Sequence, residues 1–158
     1  GGVAGAGSIN KSGAGAQSFT GALAFSGEIV VEDGVLDLTG ATLTGVTNIV
    51  LRGGLLTGSA SVTGNLTIVC QGGSYNGNLD VSGALSVAGN MTLALPNGTA
   101  LPYTQRLFAF ASADASTRAA LAAAVTTGVP HGFRASVHVG ASEARWAVAA
   151  PGTVLMLR

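Results

Sequence analysis

Chemistry in this chain can rest on few side chains: two histidines, seven carboxylates and one cysteine. His131 stands in Pro130-His131-Gly132, and His138 follows in the run Arg134-Ala135-Ser136-Val137-His138-Val139. Neither has a nearby Cys or acid to complete a tetrahedral ligand set, so solvated or hydrogen-bonded imidazoles fit better than metal ligands. Glu28, Glu32, Asp33 and Asp37 place four of the seven acids within ten residues. A hard cation such as calcium would suit oxygen donors of that kind. The Gly-Gly-x-Gly-x-Asp calcium nonapeptide is missing, however, and a solvated acidic edge is the expectation. Cleavage of a glycan would need carboxylates converging on one face. Asp37 and Asp80 fall at different positions of the repeat set out below, where 19-residue offsets meet Leu56 and Ser61 instead. No Gly-x-Ser-x-Gly elbow accompanies a His and an acid. The chain reads as a non-enzyme, with no catalytic, cofactor-binding or metal-binding residues and no cofactor.

The elements that would carry these side chains follow from an internal repeat. Gly53-Gly54-Leu55-Leu56-Thr57-Gly58, with Val62, Gly64, Leu66 and Ile68, recurs 19 positions later as Gly72-Gly73-Ser74-Tyr75-Asn76-Gly77, with Val81, Gly83, Leu85 and Val87. An earlier copy places Leu36 before Leu55, Gly45 before Gly64, and Asn48 to Gly53 before Thr67 to Gly72. Gly15, Gly34 and Gly53 share the spacing, as do Gly21 and Gly40. A fixed period near 20 residues marks a stacked repeat architecture. Inside each unit apolar residues alternate with Ser, Thr, Asp or Ala, the pattern of a strand with one buried face. Glycine or Asn punctuates every few residues and supplies sharp corners. These features predict an all-β fold, a parallel β-solenoid of about 19 residues per coil. Leu36, Ile49, Leu51, Val62, Leu66, Ile68, Val81, Leu85 and Val87 are expected to point into one narrow core.

Composition agrees with that reading. The 158 residues fit one domain, or a domain with a small appendage, and an apolar fraction of 47% argues for a packed core although only 9% of residues are charged. Zero net charge gives no reason to expect nucleic-acid binding. A single cysteine excludes an internal disulfide framework. Cys70 aligns with the inward Leu51 and is expected to act as a small hydrophobe. The N-terminal residues show no basic region followed by an apolar core. The longest apolar run, Ala119 to Val125, is too short for a membrane span.

From Ile9 the sequence resembles a known repeat. Ile9-Asn10-Lys11-Ser12-Gly13-Ala14-Gly15 is similar to the opening of the autotransporter-associated β-strand repeat, in which an apolar residue and a Lys precede Gly-x-Gly. Phe19-Thr20-Gly21, Phe25-Ser26-Gly27 and Val30 to Leu38 fit the rest of one unit. The match covers residues 9 to 40 well and 41 to 95 more loosely. This resemblance implies a right-handed β-helix in a secreted or surface-displayed protein, usually without enzymatic activity. Such repeats normally belong to longer chains that end in a membrane barrel.

After Leu95 a different grammar begins, so residues 1–95 are read as the solenoid and 96–158 as a small, β-rich C-terminal cap with one short helix. Leu107 to Phe110 reads as a strand, and Ala115 to Val125 as the helix, with Asp114 or Ser116 as its cap. Phe133 to Val139, Glu143 to Ala149 and Thr153 to Leu157 read as three further strands. Charge divides with the regions: two cations against five acids give −3 before residue 96, and five arginines against two acids give +3 after it. An elongated subunit with ends of opposite sign is suited to head-to-tail contact, which builds open filaments. The flexible Gly1 to Ser8 is expected to pair with a neighbouring subunit, residues 1 to about 15 making much of that contact. The function expected is a structural subunit of an extracellular fibre or surface assembly, its partners being identical subunits. The alternative is an adhesin whose solenoid flank recognises a glycan or host surface.

Overall fold

The computed structural model describes residues 3–153, so the expected last strand lies, from 154 onward, outside the described residues. The chain winds as a β-solenoid of about five turns. The first turn comprises β1 (Val3–Ala6), β2 (Ile9–Lys11) and β3 (Ala16–Ser18); β4 (Gly21–Val31) and β5 (Val35–Asp37) form the second. β6 (Ala41–Leu51), β7 (Leu55–Thr63), β8 (Leu66–Cys70), β9 (Ser74–Gly89) and β10 (Thr92–Ala94) continue the winding, some strands running through a corner into the next turn. Every pairing among these ten strands is parallel.

Parallel pairing stacks each inward residue on its counterpart one coil away. Ile9, Ile29, Ile49, Ile68 and Val87 form one such column. Leu23, Leu43, Val62 and Val81 form a second, and Leu36, Leu56, Tyr75 and Leu93 a third. All nine residues expected to face inward are buried, none more than 6% exposed. Tyr75 fits its aliphatic column because its hydroxyl donates to Leu107 O at 2.9 Å and its ring stacks 4.8 Å from Phe108.

The period is 19 residues between the later coils but 20 where β4 pairs with β6 and β5 with β7. Leu36 therefore lies beside Leu56 rather than Leu55, Gly21 beside Ala41 rather than Gly40, and Asp37 beside Thr57. The corner at Leu38-Thr39-Gly40 accommodates an extra residue by turning Leu38 fully into the core. Gly34 is likewise followed by Gly54, not Gly53, since Leu55 N–H donates to Gly34 O at 2.8 Å. Gly54 and Gly73 are glycines because of close approach. A Cβ on Gly54 would stand 2.9 Å from Gly34 O, and one on Gly73 2.9 Å from Gly54 O. Gly45 and Gly64, by contrast, take φ values of 83° and 97° at a stacked corner, a region L side chains rarely adopt.

Parallel stacking continues past residue 95. β11 (Tyr103–Ala113) pairs parallel with β9, and β12 (Val125–Thr127) with β10. Between them α1 (Ala115–Ala122) stands where the other turns carry a strand, and Thr117 Oγ1 accepts the Val87 N–H at 3.1 Å. Asp114 caps α1, taking Thr117 N–H at 2.7 Å and Ser116 Oγ at 2.9 Å. The helix stops short of the expected Val125 because that residue joins β12, its N–H donating to Met91 O at 2.9 Å. β13 (Arg134–Val139) and β14 (Glu143–Ala149) complete the end as an antiparallel ribbon on β11. Arg118 fastens α1 to the turn of that ribbon through the carbonyl oxygens of Gly140 and Ala141. Phe108, Leu121, Trp146 and Val148 are fully buried beneath it.

At the opposite end, Val3–Ala6 pairs parallel with Leu23–Ser26 of its own molecule, and Gly7 N–H donates to Ser26 O at 3.2 Å. The segment expected to run along a neighbour is thus held within its own first coil. Only its outer edge stays unpaired among the described residues.

Two outcomes follow from this core. Leu66 is 1% exposed. Leu66→Asp should lower unfolding free energy by at least about 3 kcal/mol, and Leu66→Ala by about 2–5 kcal/mol. The exposed Thr63→Asp should move it by less than about 0.5 kcal/mol, all three read from urea melts. Burial also pushes the Cys70 thiol from 9.0 up to about 11. The unfolded chain sheds that proton first, so stability is whole below pH 9 and falls as pH rises towards about 11. The loss should be about 2–3 kcal/mol, and Cys70→Ala should lose correspondingly less over the same window.

Candidate functional surfaces

Of the four clustered carboxylates singled out by the sequence, Glu32, Asp33 and Asp37 each make a separate local contact. Glu32 pairs with Arg52 at 3.1 Å, on an exposed face where such a bridge adds little stability. Asp33 accepts the Gly34 N–H at 2.7 Å. Asp37 turns onto Thr39, whose hydroxyl and backbone N–H at 2.7 and 2.9 Å hold its carboxyl below the usual range. Glu143 pairs with Arg145 at 2.7 Å. Among the described residues no three His, Cys, Asp or Glu side chains converge as a metal site would require. His131 lies exposed in a turn, while His138 is exposed on the face of β13 that also carries Arg134.

Two surfaces carry more organisation. One is the mouth of the first coil, a depression of about 600 Å³ lined by Ile9, Lys11, Gly13, Gly15, Gln17 and Phe19. Lys11 occupies the inward position held one and two coils on by Val31 and Leu51. Lys11 is only 8% exposed, and its ammonium donates to the carbonyl oxygens of Ser12, Gly13 and Asp33, the first and last at 3.0 Å. A charge at this depth is tolerable because three fixed carbonyl dipoles replace its water. Lys11 thereby ties the corner of the first coil to that of the second.

The other surface lies on the flank, where β7, β9 and β11 run side by side. A depression of about 390 Å³ is lined there by Thr57, Asn76, Asn78, Tyr103, Gln105 and Arg106, among others. A shallower one of about 190 Å³ adjoins it, sharing Ser59 and Asn78 and reaching Thr42, Ser61 and Asp80. Intramolecular bonds hold the walls. Arg106 donates to Asp80 at 2.6 Å and to Asn78 Oδ1 at 3.1 Å. Gln105 donates to Gly77 O at 2.8 Å and accepts from the Tyr103 hydroxyl. The Tyr103 ring packs edge-on against Trp146, centroids 5.3 Å apart at 81°, and burial pushes its phenol above the ordinary value, so it stays neutral at physiological pH.

Sequence reasoning pointed to residues 1 to about 15 and to a solenoid flank in general, but named none of the side chains that line the flank depression. Tyr103 to Arg106 lies beyond the fading repeat, next to no recognisable motif. One signal was present: Asn76-Gly77-Asn78 repeats the polar-Gly-polar triplet Thr57-Gly58-Ser59 one coil earlier. Polar residues in both copies on each side of a glycine mark an outward stripe. Compared with family models, curated proteins and solved structures, the chain matches none.

Proposed function

We propose that this chain is a non-catalytic structural subunit of an extracellular fibre or surface assembly, polymerising head-to-tail. The observation that carries this reading is the difference between its two ends. At the C-terminal end, α1 and the β13–β14 ribbon cover the last turn and its aromatic core. At the N-terminal end, β1, β2 and β3 have no partner on their outer edges among the described residues, and the mouth between them opens onto the half-buried Ile9 and Phe19. Natural proteins block such an edge with charges, bulges or a covering element unless it is used. Here it carries Val, Ile, Gly, Ala, Ser, Asn and Gln, and its one charge, Lys11, is turned inward onto carbonyl oxygens.

A second copy is the occupant that charge supports. The region before residue 96 has a balance of −3 and the region after it +3, with Arg134 and His138 exposed on β13, the outermost strand at the other end. The contact is heterologous, so it propagates and does not close. A secreted or surface setting rests on the resemblance of residues 9 to 40 to the autotransporter-associated repeat. The adhesin reading has its own support in the polar flank, taken up below.

Sedimentation velocity over a wide concentration range tests the proposal. The average mass should climb continuously with concentration, fall as salt is added, and correspond to unbranched filaments in electron micrographs. Gln17→Lys, exposed at the mouth, should hold the chain monomeric with unchanged melting. A chain that stays monomeric, stops at a closed dimer, or polymerises unaffected by Gln17→Lys would overturn the head-to-tail reading.

A further inference from the structure

We infer that the flank groove between Asn76, Asn78, Tyr103, Gln105 and Arg106 is a binding site for a neutral oligosaccharide. The site is separate from the proposed end contacts, and a monomer would bind as well as a filament.

Size and wall chemistry point to a small polar ligand. A depression of about 390 Å³ falls within the volumes of small-molecule sites, roughly 300–1,000 Å³, yet its walls are amides, a guanidinium and hydroxyls. These walls are fixed before any ligand arrives. Asn78 Oδ1 is taken by Arg106 Nε and Gln105 Nε2 by Gly77 O. That leaves the Asn78 amide N–H groups, the Asn76 amide and Arg106 Nη1 without a partner among the described residues. The free groups can both donate and accept, which is what the hydroxyls of a sugar require. Side chains already held in place lose little entropy on binding.

The aromatic wall supplies the complementary feature. A pyranose presents an apolar C–H face beside its hydroxyls, and the half-buried Tyr103 offers a ring whose plane Trp146 holds. Continuity with the shallower depression extends the groove along the stacked column Thr42, Ser61 and Asp80. Three coils at about 4.8 Å each make it long enough for more than one sugar ring.

Other ligand classes fit less well. Arg106 is neutralised by Asp80 at 2.6 Å, so the site has no net positive charge to select phosphate, sulfate or a uronic acid. An extended peptide would seek an unpaired strand edge. β7, β9 and β11 are paired with one another through this face. Asp80 is the single carboxylate here, so the groove is equipped to hold a glycan and lacks the pair of acids that hydrolysis uses.

The test is titration of the intact chain with a panel of neutral tri- to hexasaccharides of gluco, galacto and manno configuration, a heparin oligosaccharide serving as the anionic control. Side-chain amide and Arg Nε–H resonances are followed by NMR. At least one neutral member should give saturable shifts at Asn76, Asn78, Gln105 and Arg106. Asn76→Ala, which removes a side chain bonded to none of the described residues, should weaken binding about tenfold with unchanged melting. Arg106→Gln should weaken it by at least as much. Three outcomes would overturn the site: no saturable shift with any panel member, stronger binding of heparin than of every neutral glycan, or binding indifferent to both substitutions.

Discussion

Parallel backbone pairing between successive coils is the constraint on which the rest of this molecule depends. It places each residue about 4.8 Å from its counterpart in the next coil. A side chain therefore meets its own repeat position before it meets anything else. The isoleucine column from Ile9 to Ile68 works because identical β-branched side chains nest along the axis. The glycine line Gly34, Gly54 and Gly73 works because backbones approach too closely there for any Cβ. One rule thus decides both where the core is apolar and where side chains are forbidden.

The same rule creates a problem at each end, since a column must stop. At the C-terminal end the stop is aromatic and helical. Phe108 stacks on Tyr75, α1 replaces a strand and offers a threonine hydroxyl to a backbone N–H, and Trp146 closes the top. At the N-terminal end the stop is Lys11, an ammonium where the coils beyond have Val31 and Leu51. An ammonium satisfied by three carbonyls closes its own corner of the core, while its neighbours Ile9 and Phe19 remain only half-buried. The two terminations are chemically unlike, which gives the described residues a direction along the solenoid axis.

Much of this was legible in the amino-acid order. Stacking converts a repeat in sequence directly into a contact in space, so Leu66 over Leu85 and Ile68 over Val87 could be read from the offset alone. What escaped were places where a coil departs from its neighbours. An extra residue at Leu38 shifts β4 against β6 and β5 against β7 by one, and the glycines at 19-residue spacing, Gly21 with Gly40 and Gly34 with Gly53, concealed it. Val125 belongs to β12 and not to α1, since competition between a helical turn and a free sheet edge is a tertiary matter. The flank groove was invisible for a similar reason. Its walls come from strands 28 positions apart, Asn78 and Arg106, a separation outside the repeat period.

Register also divides the molecular surface into parts that can change independently. An inward substitution disturbs a column running the length of the solenoid, whereas an outward one on β7, β9 or β11 touches only its immediate neighbours across the sheet. Ligand recognition can therefore be built on the flank without altering the stack, provided its side chains are held by local bonds such as Arg106 to Asp80 and Gln105 to Gly77 O. The proposed end-to-end contact would draw on the outer edges of β1 to β3, away from that flank. A repeating fibre whose every subunit carried the same weak glycan groove would bind through many sites at once. Effective concentration, not the strength of any single groove, would then set its hold on a surface.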